Sequence, residues 1–211
     1  MRRGSWSGTL GCLHRVRDRS DGLGYLFWHA PAVSSRGYDE VIGEWHAALA
    51  TDPPDGLRAS WTWRLPTPPW LGGWPAVAYL DVYVVGSFAD LGTLNAQSPS
   101  GSRAAAHDRA ATRSAWGSGA VMACRSGTSV TDSDATVTFH DKAPGVPYPE
   151  ALAALGGPDR SVWFRQMVLG VGPELLVVAP ARSSPGPGPQ EGPNAPIWSA
   201  GTELVASTTR S

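Results

Sequence analysis

Leu57, Ala59, Trp61, Trp63 and Leu65 alternate with Arg58, Ser60, Thr62 and Arg64, the period-two pattern of a strand with one apolar face. A Pro- and Gly-rich stretch, 66–75, separates this strand from 77–85, which is apolar on both faces apart from Asp81. A strand of that kind is covered on both faces. Ahead of the pair, Tyr38, Val41, Ile42, Trp45 and Leu49 recur at helical spacing, and the breaker Asp52-Pro53-Pro54-Asp55-Gly56 follows. A helix feeding two long strands predicts an α+β domain on an antiparallel sheet.

The flanking segments extend that order. Residues 24–29 form a short aromatic run stopped by Pro31, read as the first strand. Ser87 and Asp90 have capping-box spacing for a short second helix, a third helical segment is expected over 103–116, and 120–124 reads as a fourth strand. The sum is β-α-β-β-α-β, a ferredoxin-like unit. Residues 135–140, 148–155, 162–169 and 174–178 read as strand, helix, strand and strand, a partial second unit. The expected organisation is a basic flexible leader over 1–22 and an α+β domain over 23–180, divided into 23–128 and 129–180. A disordered Pro/Gly/Ser tail over 181–211 completes it.

Composition narrows the partners. The formal net charge is −1, without the positive excess of a nucleic-acid binder, so no nucleic-acid partner is expected. No run approaches the roughly 20 apolar residues of a membrane span, so no membrane partner and a cytoplasmic location are expected. Cys12 and Cys124 lie too far apart in the sequence to suggest a paired-cysteine metal site, and a reducing compartment fits them. Lys142 is the single lysine among many arginines, which suggests a GC-rich bacterial genome. H-E-x-x-H, G-x-S-x-G, P-loop and G-x-G-x-x-G patterns are absent.

The element order across 24–178, with an aromatic first strand ending in His29, resembles the dimeric α+β barrel superfamily. That superfamily includes small monooxygenases, EthD-like proteins, stress-responsive barrel proteins and heme-binding relatives of chlorite dismutase. The resemblance implies a homodimer enclosing an apolar pocket. It also implies ligand contacts near the end of the first strand, where His29 lies.

Asp81 is the sharpest candidate, because a carboxylate inside an apolar strand must be paired, protonated or open to a cavity. Tyr79 and Tyr83 share its side of the strand, and Arg64 and Arg165 are its candidate partners. His29 is the candidate acid or base. Trp63 belongs to a tryptophan set that could line an aromatic pocket, and His46 is read as core edge or solvent-facing. The expected function is binding of a small apolar or aromatic ligand, extending to cofactor-independent oxidation or isomerisation of an aromatic or polyketide-like compound. His29 and Asp81 are catalytic in that reading; Arg64, Tyr79, Tyr83, Arg165 and Trp63 hold the ligand; no metal and no cofactor is assigned. A non-catalytic dimeric interaction protein is the alternative, and a heme-binding protein the third.

Overall fold

The computed structural model describes residues 22–32, 35–126, 134–157, 159–170, 172–181 and 195–209. In chain order the elements are β1 (Leu23–Pro31), α1 (Ser35–Thr51), β2 (Leu57–Pro66), β3 (Val77–Val85), α2 (Phe88–Gln97), a 3-10 turn (Gly101–Arg103), α3 (Ala104–Arg113) and β4 (Ser114–Ser126). They continue with β5 (Ala135–His140), α4 (Tyr148–Leu155), β6 (Ser161–Val168), β7 (Leu175–Pro180), β8 (Trp198–Gly201) and β9 (Glu203–Thr209). The fold is α+β and ferredoxin-like, as the sequence predicts. Tyr38, Val41, Ile42, Trp45 and Leu49 are all buried on the inner stripe of α1, and Ser87 caps α2 by accepting from the Asp90 amide.

All strands join one sheet in the order β8-β5-β7-β6-β4-β1-β3-β2-β9, with antiparallel pairings throughout. Within β1–β4 the spatial order is fourth, first, third, second, and β5–β8 repeat it. The second unit therefore has its complete sheet and lacks a helix between β7 and β8 among the described residues. β4 bridges β1 and β6. Across the barrel, β8 pairs with β5 while β9, one residue further along the chain, pairs with β2. Thr202 is the corner: its amide donates to the Ala135 carbonyl at 2.8 Å and its hydroxyl accepts from the Ala135 amide at 2.9 Å. Because the two sheet edges are the two sides of that corner, the sheet closes on itself.

Three expectations change here. The tail does not stay outside the fold, because 198–209 supply the two strands that close the barrel; residues 182–194 and 210–211 of the tail, and residues 1–21 with Cys12, lie outside the described residues. The third helix ends at Arg113, and β4 starts at Ser114 opposite Pro31, earlier than 120. Finally, the inner sheet face that would meet a second copy is covered by the chain's own second half. Trp28, Trp61, Trp63 and Met122 from the first unit pack with Phe139, Trp163, Leu176 and Val178 from the second in one core. The outer face carries two further cores, one under α1–α3 and one under α4. Among the described residues, no helix is long and apolar enough to cross a membrane.

Candidate functional site

Alternation puts Tyr25, Phe27 and His29 of β1 on the outer face, with Tyr83, Asp81 and Tyr79 of β3 directly opposite them. On the other flank Thr62 of β2 faces Asp81. α1 lays Tyr38, Ile42 and Trp45 over these strands, and α2 and α3 add Leu91, Leu94, His107 and Ala110. Between sheet and helices lies a cavity of about 970 Å³, lined by Tyr25, Phe27, His29, Tyr38, Trp45 and Asp81 among others. Phe88, Trp116 and Leu169 also line it and are exposed at 49%, 53% and 54%, so they mark its mouth.

At its floor Asp81 is 5% exposed. Its Oδ1 accepts from the Thr62 hydroxyl at 2.5 Å and its Oδ2 from the Tyr83 hydroxyl at 2.8 Å. The indole of Trp45 in turn donates to the Tyr83 oxygen at 2.9 Å. His29 Nε2 lies 3.0 Å from Asp81 Oδ1. That contact is electrostatic rather than an aligned hydrogen bond, and Nε2 has no aligned partner. Burial alone would raise the Asp81 carboxyl, but the His29 ring, His46 and the Thr62 hydroxyl hold it below the ordinary carboxylate range. Burial first and the Asp81 charge second push the Tyr83 hydroxyl well up, so it stays protonated as a donor.

The hydrogen-bond directions place a proton on His29 Nδ1. Ser114 Oγ contacts the Ala110 carbonyl at 2.9 Å, and a carbonyl can only accept, so the serine proton is used there. Tyr38, whose oxygen lies 2.5 Å from Ser114 Oγ, must then donate to the serine. Its oxygen is left to accept from His29 Nδ1, with which it is hydrogen-bonded. In this arrangement Nδ1 carries a proton. Nε2 faces the Asp81 carboxylate, so a proton on Nε2 meets an opposite charge.

A second histidine shares the network. His46 is buried, with Ser60 Oγ 3.1 Å from its Nδ1 and Thr62 Oγ1 2.8 Å from its Nε2. Since Thr62 gives its proton to Asp81, His46 donates through Nε2 and is neutral. Burial pushes its pKa down to about 4. The expectation that His46 covers a core edge or meets solvent is corrected accordingly: opposite Trp61 and Trp63, β2 presents Ser60 and Thr62 to buried partners, not to water.

Of the residues named from sequence, His29, Asp81 and Tyr83 meet at the cavity. Tyr79 stands behind it, its ring 5.6 Å from that of His29 and its hydroxyl donating to Asp39 at 2.7 Å. Arg64 and Arg165 do not pair with Asp81. Arg64 reaches Asp39 at 2.7 Å and Glu203 at 2.5 Å, tying β2 to α1 and β9. Arg165 donates to the Gly172 carbonyl across the β6–β7 turn. Trp63 points into the barrel and is fully buried there. Tyr38, Ser114, Thr62 and His46 were missed. For Thr62 the signal was present, since period two puts it beside Asp81; Tyr38 and Ser114 come from distant segments. Among the described residues, no group of three or more His, Cys, Asp and Glu side chains is placed to hold a metal ion.

No family model and no curated protein matches the chain. Solved structures do. The "putative monooxygenase (FN1347)" of Fusobacterium nucleatum aligns at TM-score 0.60 and 6% identity over 92% of this chain and 96% of its own. An anthrone oxidase-like protein aligns at TM-score 0.55 and 13% identity over 90% and 94%. A chlorite dismutase from Candidatus Nitrospira defluvii aligns at TM-score 0.46 and 8% identity, too distant for argument. At such identities the likeness concerns architecture, and in architecture the chain is a ferredoxin-like α+β barrel of the kind these proteins share.

Proposed function

We propose that the cavity binds a hydroxylated aromatic small molecule and that His29, backed by Asp81, removes a proton from it. The observation that carries this reading is the Asp81–His29–Tyr38–Ser114 network at the floor of an aromatic-walled cavity. A proton leaves an acidic O–H or C–H of the ligand for the His29–Asp81 pair, and its electron pair stays on the ligand as a delocalised anion. Nearby Asp81 stabilises the imidazolium, so the base is strongest where the charge develops. Reprotonation at another atom completes an isomerisation. With dioxygen as co-reactant, an activated methylene becomes a carbonyl and the second oxygen atom leaves as water, a balanced change in which the substrate itself supplies the electrons. Structural neighbours named as an anthrone oxidase-like protein and a "putative monooxygenase" support the oxidative branch.

Anthrone tests it. Purified protein should bind anthraquinone and consume oxygen in the presence of anthrone, and His29→Ala should lower the catalysed rate by about 10²–10⁴-fold, the usual contribution of a positioned base. A wild-type protein that neither binds these compounds nor takes up oxygen would defeat the proposal.

A further inference from the structure

Among the described residues, Trp116 alone is a non-glycine residue with positive φ, at 69°. The cause is a β-bulge: His29 pairs with Gly117 and Ala30 with Ala115, so Trp116 is the extra residue on β4, opposite no partner. A bulky side chain is disfavoured at such a φ, where glycine fits without strain. The ring is also poorly placed for stability. It is 53% exposed, and its one ring contact is with Trp74, centroids 6.0 Å apart. Backbone strain and exposed apolar area are thus both spent at one position, level with His29 and on the cavity wall.

The strand beside that wall carries a row of rings. Tyr25, Phe27 and His29 lie in a row with centroids 6.1 and 5.7 Å apart and interplanar angles of 28° and 18°. Gly117 makes room for the middle ring, since a Cβ there would come within 3.1 Å of Phe27. The three rings stack on one another along β1, and a cavity of about 970 Å³ sits at the upper end of the roughly 300–1,000 Å³ of small-molecule sites, with room for more than one fused ring.

We infer that Trp116 is the specificity-determining residue of this cavity, its exposed indole stacking on planar fused-ring aromatic ligands at the mouth and discriminating against single-ring ones. The inference rests on the ligand class proposed above and names the part of it that the bulge selects. Offset stacking on the indole rewards each added fused ring.

Trp116→Gly separates function from stability, because glycine accepts the bulge backbone. Affinities for dihydroxyanthraquinone, naphthol and phenol are to be measured by fluorescence and absorbance titration, together with thermal melts of the same samples. The variant should bind dihydroxyanthraquinone at least about tenfold more weakly, phenol within about twofold, and melt no lower than wild type. Trp116→Phe, which keeps a smaller ring, should fall between. Unchanged fused-ring affinity in Trp116→Gly overturns the inference, and so does a lower melting temperature, which would make the indole a structural plug on Trp74. Failure of the wild type to bind any of the three would instead bring down the proposed ligand class, and this inference with it.

Discussion

The two halves of the barrel have the same strand order and opposite uses of the outer face. Counting back two residues from His29 and from His140, Phe27 of β1 faces Asp81 of β3, and Thr138 of β5 faces Val177 of β7. Val177 lies on the outer face of β7 as Asp81 does on β3. It packs with Leu175, Ala151, Leu155 and Val162 under α4 in a small apolar core. In the first half the same face holds a carboxylate ringed by Thr62, Tyr83 and His29, and α2 and α3 supply the outer walls of a cavity. The fold by itself therefore does not make the site. Polar in place of apolar side chains on one face, walled by α2 and α3, do.

The closing strands put the largest stake on that comparison. A chain truncated after Pro180 loses β8 and β9, leaving the edges of β5 and β2 unpaired and the shared tryptophan core open to water. Cooperative unfolding in urea should disappear from both halves together; a sharp transition close to wild type would mean that the halves are stable without closure.

Asp81→Val rewrites the first half as the second. It strands the Thr62 and Tyr83 hydroxyls in the interior and should cost about 3 kcal/mol or more in a denaturant titration. A loss under about 1 kcal/mol would show that solvent already reaches this network.

Acid should weaken the first half selectively. The folded pKa of His46 is pushed from the ordinary 6.5 down to about 4 by burial, so between those values the unfolded chain binds a proton that the native state refuses. Stability is complete above about pH 6.5 and falls toward pH 4, by about 3 kcal/mol in all. Asp81, held below the ordinary carboxylate range, adds to the loss at still lower pH. Urea midpoints at successive pH values should follow this slope, and His46→Gln should flatten it; a wild-type midpoint constant from pH 7 to 4.5 would contradict a buried neutral His46.

The smallest effect belongs to Arg64. Its ion pairs with Asp39 and Glu203 are partly exposed, with side-chain exposures of 29%, 30% and 63%, and such pairs contribute about 0–1 kcal/mol. Arg64→Ala should shift the denaturation midpoint slightly and leave ligand affinity unchanged. A tenfold loss of affinity would restore the role in ligand binding that the sequence suggests for it.

Several features were determined by the sequence alone because they are local. Period two in β2 decides that Trp61 and Trp63 share a face away from Thr62, spacing near 3.6 decides the buried stripe of α1, and Ser87 with Asp90 starts α2. Asp81 stood out for the same reason, as a charge in an apolar strand. What the tertiary structure decided is whatever depends on residues far apart in the chain. The partners of Asp81 come from three elements, and the nearest arginine in register, Arg64, lies two residues along from Thr62 and turns to Asp39 instead. Ser114 reaches Tyr38 because β4 begins early, and a polar-looking tail becomes the strand that closes the barrel because unpaired edges of β5 and β2 accept its backbone, whatever its side chains. Backbone hydrogen bonding is nearly blind to composition, so a segment rich in serine and threonine reveals its place only once the edges that need it exist.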